Sequence, residues 1–241
     1  MNIDTEKTFD NFIVGKSNKF AYKACKASVA TDLKKESCFN PLFIFGNTGL
    51  GKTHLLNAIC NEINKNDSEV KIAYTTAEEF ANEYYSSLAS KSTDEFDEKY
   101  KSNTDVFILD DIQFISGKSA TEEKVYNIIN TLLVNKKKVI LTANTNPCNI
   151  ADTNGSLYSR FASGLVSEIT SPEYEIRYSI VKNTAKKFEL DFSEEVIEYI
   201  ANKITYNIPQ LQCVTNSICA NCNFCGLSPT VELAEKIISQ I

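Results

Sequence analysis

The chain lacks the features that mark membrane-spanning and secreted proteins. Among its 241 residues, no apolar run reaches the ~20 residues that a membrane helix needs. The segment Met1–Lys7 is polar and contains no apolar signal-peptide core. We therefore expect a cytoplasmic protein, in which the eight cysteines are thiols or metal ligands rather than disulfides.

The chain also has fewer basic than acidic residues. Lysine and arginine together number 25 against 31 acidic residues, which gives a net charge of −6. Because proteins that depend on duplex phosphate contacts are usually basic, any contact with nucleic acid must be local or shared across an assembly. Only two arginines occur, Arg160 and Arg177, so each is a candidate for a role that needs a planar guanidinium.

The remaining composition, 43% hydrophobic and 23% charged, is that of a soluble globular protein. Its length allows one domain, or a large domain with a small one. Apolar strands alternate with helices up to Ser171-Pro172, and only helices follow. We therefore predict an α/β domain with a parallel five-stranded sheet in residues 1–170 and a small all-helical domain in residues 171–241. The predicted strands lie at about 41–45, 70–74, 106–109, 138–144 and 165–169.

The stretch Gly46–Thr53 fits the phosphate-loop pattern G-x-x-x-x-G-K-[ST] at every fixed position. Glycines let backbone N–H groups close around phosphates, and the helix that follows adds the partial positive charge of its N-terminus. Lys52 is a mobile charge for the phosphates, and the Thr53 hydroxyl is a ligand for Mg²⁺. The alternative is a glycine-rich turn without a ligand. The residues expected to contact ATP or ADP are Asn47, Thr48, Gly49, Leu50, Gly51, Lys52, Thr53 and His54.

Two further apolar strands end in polar side chains. One runs into Asp110 and Asp111, and the other ends at Asn144. Ligands of open parallel sheets bind at such strand ends, where one carboxylate can hold Mg²⁺ and a second can orient the attacking water. Alone, each strand end could be a simple turn or helix cap, but the upstream phosphate loop favours the functional interpretation.

Four cysteines lie close together near the C-terminus: Cys213, Cys219, Cys222 and Cys225. Thiolates at such spacing can hold zinc or an iron–sulfur cluster. The same cysteines also belong to a helical stripe with Leu211 and Ile218, in which free cysteine packs as a small apolar residue. The packing interpretation is favoured.

The order of motifs resembles the bacterial replication initiator family DnaA, a branch of the AAA+ ATPases. The resemblance covers nearly the whole chain, but only the family's ATPase core and lid. The helicase-interacting and duplex-binding domains of the family have no counterpart in these 241 residues. The segments that carry the resemblance are 8–18, 40–46, 49–55, 110–114, 159–161 and 231–235.

The resemblance implies a role for each candidate residue. Asp110 would be the Mg²⁺-side carboxylate, Asp111 the water-activating acid and Asn144 the first sensor. Arg160 would be an arginine finger that reaches the γ-phosphate of ATP on a neighbouring subunit, so that subunits assemble head-to-tail. A surface ion pair is the plain alternative for Arg160. The adenine pocket would be lined by Val14, Gly15 and Asn18, although residues 8–18 could also be an arm packed on the core.

Departures from the family pattern lower the expected activity. Pro209 stands where the family's lid carries a sensor arginine, and Pro209 cannot bind a phosphate. Lys118 is kept, but Ala120 replaces an expected basic residue, and the helix at 78–84 is acidic. We therefore expect ATP binding with slow hydrolysis and weak binding of single-stranded DNA.

Three other functions stay open. The chain could be a regulator of a full-length initiator, as Hda is, or a helicase loader of the DnaC type. Lack of a duplex-binding domain favours the regulator only if these residues are the natural chain. A P-loop phosphotransferase is the third alternative, against which the Asp110-Asp111 pair, Arg160 and the helical lid all argue.

Overall fold

The structure is a computed structural model that describes residues 3–30, 39–150 and 156–240. Its centre is a parallel sheet of five strands in the order β2-β3-β4-β1-β5. The predicted five-stranded parallel sheet is therefore confirmed. The strands are β1 (Leu42–Phe45), β2 (Ile72–Thr76), β3 (Val106–Asp110), β4 (Lys138–Ala143) and β5 (Leu165–Glu168).

Helix α1 (Lys19–Ala30) precedes β1, and five further helices connect the strands. They are α2 (Lys52–Asn66), α3 (Ala77–Ser90), α4 (Thr93–Asp97), α5 (Ser119–Val134) and α6 (Ser156–Ala162). The helix α4 continues directly into a π-helix over Glu98–Ser102. Short 3₁₀ turns at Ile112–Ile115 and Pro147–Asn149 follow the ends of β3 and β4.

The central strands are rich in apolar residues because both of their faces are covered. Every residue of β3 and β4 is buried, as expected for parallel strands that are covered on both faces. On one side of the sheet, Phe80, Phe96 and Tyr100 form an aromatic cluster with ring centroids 4.8–5.1 Å apart. The Tyr100 hydroxyl donates a hydrogen bond to Glu83 at 2.7 Å, which satisfies the polar end of a buried ring.

Contacts divide the described residues into two units. The α/β unit comprises 3–12, 20–30, 39–47, 52–150 and 156–169, and the helical unit comprises 13–19, 48–51 and 170–240. The helices of the second unit are α7 (Tyr174–Lys187), α8 (Glu194–Lys203), α9 (Ile208–Cys225) and α10 (Val231–Ile238).

The helical unit has its own apolar core. Ile180, Val196, Leu211 and Ala234, one from each helix, are among its buried residues. The side chains of Ser193, Asn207 and Thr230 cap α8, α9 and α10, each by accepting a hydrogen bond from a first-turn N–H group.

Arg177, one of the two arginines, has a structural position in this unit. It donates hydrogen bonds to the carbonyls of Ala201 at 2.7 Å and Pro172 at 2.6 Å. Its guanidinium thereby joins α8 to the segment that precedes α7. The candidate functional arginine is therefore Arg160.

The cysteines of α9 separate into two environments. Cys219 and Cys222 are buried in the helical core, and burial raises the pKa of both thiols, that of Cys219 to about 11. Cys213 and Cys225 are exposed. Within the described ranges, no three His, Cys, Asp or Glu side chains are grouped as a metal site would require. None of the described helices is long and apolar enough to cross a membrane.

Candidate phosphate-binding site

The path of the Gly46–Thr53 loop depends on its glycines. Gly49 and Gly51 have φ angles of 81° and 97°, a region that side chains rarely adopt. At Gly46, an added Cβ would lie 2.2 Å from the carbonyl oxygen of Ile169. Larger residues would therefore change the path of the loop.

Lys52 begins α2, and its side chain turns back over the start of the loop. The ammonium group donates hydrogen bonds to the carbonyls of Gly46 at 2.7 Å and Asn47 at 3.0 Å. Burial lowers the pKa of Lys52, while the neighbouring Asp111 and Asp110 act to raise it. Lys52 is thus held at the loop by bonds that phosphate oxygens could replace.

Asp110 connects three elements at the carboxyl end of the sheet. It is only 2% exposed, and its Oδ2 accepts a 2.8 Å hydrogen bond from the Thr53 hydroxyl. Its Oδ1 accepts a second hydrogen bond from the hydroxyl of Thr142 in β4. Burial raises the pKa of Asp110, and the hydrogen bonds from Thr142 and Thr53 oppose this rise.

Asp111 and Asn144 are linked through Gln113. The backbone of Asp111 is left-handed, with φ 57° and ψ 51°, and its N–H group donates to Thr142 at 3.0 Å. The amide of Gln113 donates to Asp111 Oδ1 at 3.1 Å and accepts from the Asn144 N–H at 3.1 Å. The structure thus brings together Lys52, Thr53, Asp110, Asp111 and Asn144.

Two residues of this network, Thr142 and Gln113, were not among the predicted site residues. Thr142 is the single polar residue in the otherwise apolar run Val139–Ala143, a signal that its side chain has a partner. Gln113 lies in a 3₁₀ turn whose geometry the sequence does not indicate.

His54 faces the N-terminal arm. Its Nε2 lies 2.9 Å from the carbonyl oxygen of Thr8, and the ring of Phe12 packs on it edge-on at 5.1 Å. Phe12 also stacks on Tyr22 of α1 at 5.9 Å. These contacts fasten the arm to the first turns of α2 and α1.

In the described residues, Arg160 forms no hydrogen bond with Lys52, Thr53 or Asp110. Its guanidinium is 5.9 Å from the ring centroid of Tyr126, a weak cation–π contact. Across the parts of the chain that the structure describes, Arg160 forms no ion pair with a carboxylate.

The other predicted nucleotide contacts belong to the helical unit. Buried Asn18 accepts a hydrogen bond from the Gly15 N–H at 2.9 Å and donates to the Ile13 carbonyl at 3.0 Å. Val14 is 41% exposed.

The tip of the phosphate loop contacts the start of α9 within the helical unit. The Ile208 N–H group donates to the Gly49 carbonyl at 3.3 Å. An added Cβ at Gly49 would meet the Pro209 ring at 2.7 Å. This part of the loop is therefore packed against the position where the sensor arginine was expected.

A parallel sheet with this loop and these strand-end residues defines a P-loop ATPase fold of the AAA+ class. Residues 3–168 match the family of the bacterial DnaA ATPase domain. The chain therefore belongs to the DnaA family and carries its ATPase domain, as the resemblance predicted.

Known relatives agree with this assignment. The replication initiator DnaA of Thermoanaerobacter sp. (strain X514) is 40% identical over 239 residues, 99% of this chain and 53% of that protein. Domain III of DnaA from Thermotoga maritima has a TM-score of 0.92 at 29% identity and covers 100% of this chain and 98% of that one. AMPPCP-bound DnaA from Aquifex aeolicus has a TM-score of 0.82 at 32% identity, over 92% and 68%. The chain thus spans about half the length of its curated relatives.

The substitution Asp110→Asn tests whether the buried carboxylate lowers the stability of the folded protein. Because the folded-state pKa of Asp110 is raised, stability is lost as the pH rises from the usual aspartate pKa through that raised pKa, and at neutral pH the ionised carboxylate destabilises the folded protein. We expect Asp110→Asn, which keeps partners for Thr53 and Thr142, to raise Tm at neutral pH by about 2–4 °C per kcal/mol gained. Thermal unfolding without nucleotide measures this, and the gain should shrink as the pH falls through the pKa of Asp110. A lower Tm at neutral pH would contradict the assignment.

Proposed function

We propose that this chain binds ATP or ADP with Mg²⁺ and acts in the control of DNA replication as the ATPase part of a DnaA-type initiator. The observation that carries the proposal is the 2.8 Å hydrogen bond between Thr53 and Asp110 beside the Lys52 ammonium. The solved relatives described as bound to AMPPCP support nucleotide as the ligand.

The donor set fits Mg²⁺. Thr53 and Asp110 offer a hydroxyl and a carboxylate oxygen, and Mg²⁺ prefers a few such protein oxygens together with phosphates and waters. The ion, when bound, would neutralise charge on the phosphates. Asp111 and Asn144, linked through Gln113, would orient the attacking water near the phosphate.

Val14, Gly15 and Asn18 would form the part of the site that holds adenine. Asn18 shapes this turn through its bonds to Gly15 and Ile13. The N–H and carbonyl groups of Val14 have no hydrogen-bond partner among residues 3–30, 39–150 and 156–240. One backbone donor and one backbone acceptor on the same residue suit the hydrogen-bonding edge of a purine.

Titration calorimetry with ATP and ADP in the presence of Mg²⁺ tests the proposal. Lys52→Ala should weaken binding of both nucleotides at least about tenfold, because a charge-assisted contact to phosphate is lost. Lys136→Ala, at a lysine far along the chain from the loop, is the charge-matched control. If the wild-type chain binds neither nucleotide, the proposed function is wrong.

Arg160 would act on ATP bound by a neighbouring subunit. A half-exposed guanidinium that forms no ion pair in the described residues is available for such a contact. The neighbour would be another copy of this chain, arranged head-to-tail, or a full-length initiator. The second partner corresponds to a regulatory role, which the comparisons leave open.

We expect ATP, but not ADP, to increase the sedimentation coefficient of the wild-type chain, and Arg160→Ala to abolish this increase while nucleotide affinity is kept. Arg177→Ala is unsuitable as a control because Arg177 holds the helical unit together. Lys182→Ala, which removes a charge from the surface of α7, is the better control. Equal assembly of wild type and Arg160→Ala would exclude the arginine finger.

Hydrolysis should be slow, because the first turn of α9 offers a phosphate neither a cation nor a free backbone N–H group. The Ile208 N–H is bonded to Gly49, Pro209 has none, and the Gln210 N–H is bonded to the Asn207 side chain at 2.7 Å. No cation replaces the missing sensor arginine at Pro209.

Pro209→Arg should raise the rate of ATP turnover, because it would place a guanidinium at the first turn of α9. Phosphate release under saturating ATP measures this, with Pro209→Gln as the uncharged control. Fast turnover by the wild-type chain, or no difference between Pro209→Arg and Pro209→Gln, would contradict this account of the lid.

Binding of single-stranded DNA is proposed only as a weak activity. One solved DnaA is described as bound to AMPPCP and single-stranded DNA, with a TM-score of 0.85 and 32% identity over 99% of this chain. In this chain, however, the exposed face of α3 carries Glu78 and Glu79, which repel a phosphate backbone.

A further inference from the structure

The turn formed by residues 15–17 presents two successive backbone N–H groups, those of Lys16 and Ser17. Successive N–H groups in a turn form a concavity that binds anions. Here the anion is a side chain of the same chain. The Lys16 N–H donates to one oxygen of Glu173, and the Ser17 N–H donates to the other at 3.2 Å.

Glu173 occupies an unusual position for such a contact. It is the N-cap residue of α7, and its carbonyl accepts hydrogen bonds from the N–H groups of Ile176 and Arg177 at 3.1 Å. Its side chain makes no capping bond to α7, whereas the N-cap side chains of α8, α9 and α10 all cap their own helices. The Glu173 carboxylate therefore binds the turn at residues 15–17 and not the first turn of its own helix.

The Glu173 carboxylate packs closely against the turn at residues 15–17, and its pKa is lowered there. A Cβ at Gly15 would lie 2.0 Å from a carboxylate oxygen of Glu173 and 2.6 Å from Ile176 Cδ1. Burial acts to raise the pKa of Glu173, but hydrogen bonding to Ser17 and Lys16 outweighs it and holds the pKa below its usual range. The contact therefore favours the ionised carboxylate.

A backbone hydrogen bond from Thr170, which precedes Pro172 in the chain, also holds this turn. The Thr170 N–H donates to the Ser17 carbonyl at 3.1 Å. Asn18 sets the internal shape of the turn, while Thr170 and Glu173 set its position on the helical unit. Of these three residues, only Glu173 contributes a charge.

We propose that Glu173 is a positioning residue for nucleoside recognition: its carboxylate holds the turn at residues 15–17 in the conformation that receives the base. The proposal rests on the proposed function, in which Val14, Gly15 and Asn18 hold adenine. If the turn is ordered in only a fraction of molecules, the apparent affinity for the nucleotide is the intrinsic affinity multiplied by that fraction. Binding of a bare polyphosphate, which has no base, does not depend on the turn.

The test compares two probes on the full chain, ATP and inorganic tripolyphosphate, both with Mg²⁺. Glu173→Gln keeps the size of the side chain but places an amide NH₂ opposite one N–H donor. We expect its affinity for ATP to fall about tenfold, because one charge-assisted hydrogen bond is lost, while affinity for tripolyphosphate is unchanged. Glu173→Ala should lose more affinity for ATP and again keep that for tripolyphosphate.

Glu175→Gln is the matched control. Glu175 lies in the same first turn of α7 and is exposed, and its side chain forms no hydrogen bond or ion pair in the described structure, so that the same charge is removed without touching residues 15–17. Its affinity for both probes should equal that of the wild type.

Equal ATP affinity of wild type and Glu173→Gln would overturn the positioning role and leave the proposed function intact. An equal loss of ATP and tripolyphosphate binding would also overturn it, because Glu173 would then support the helical unit as a whole. Failure of the wild-type chain to bind either probe would instead refute the proposed function.

Discussion

The site depends on one buried carboxylate that is held by two hydroxyl groups. Asp110 ends β3 and accepts hydrogen bonds from Thr53 at the start of α2 and from Thr142 in β4. A carboxylate with 2% exposure is unfavourable unless it is paired, because burial removes the water that would stabilise its charge. Asp110 thereby connects β3, β4 and the start of α2 at the carboxyl ends of the strands, where ligands of open parallel sheets bind.

The two units have separate apolar cores, and each core positions a different set of the candidate residues. The α/β core fixes Lys52, Thr53, Asp110, Asp111 and Asn144 by packing β3 and β4 between helices. The core of the helical unit fixes a different set, because residues 13–19 and 48–51 pack with α7 and α9. A stretch of eight residues, Gly46–Thr53, thus has parts in both units.

Much of this arrangement could be predicted from the sequence. Gly46–Thr53 and the Asp110–Asp111 pair are visible because their chemistry requires fixed residue types at short spacing. All five strands were predicted, although β2 lies two residues later than the apolar run at 70–74 indicates. Pairing with Val106–Asp110 extends β2 through Thr75 and Thr76. Because these two residues are polar, an apolar pattern does not predict that they belong to the strand.

The missed contacts have a common physical reason: their partners are far apart in the chain. Thr142 meets Asp110 across 32 residues, and Glu173 meets Lys16 across 157. The lone polar Thr142 in an apolar strand indicates that its side chain has a partner but not which one, and the contact of Glu173 with Lys16 leaves no periodic trace at all. The π-helix at Glu98–Ser102 was missed for another reason. An apolar pattern predicts a helix but does not distinguish the hydrogen bonding of a π-helix from that of an α-helix.

The most direct test of the central claim is a crystal structure of the chain with AMPPCP and Mg²⁺. The account predicts phosphate oxygens enclosed by Gly46–Thr53, with the Thr53 hydroxyl ~2.1 Å from the ion and Asp110 beside it. A nucleotide bound elsewhere on the chain, with Thr53 still bonded to Asp110, would contradict it.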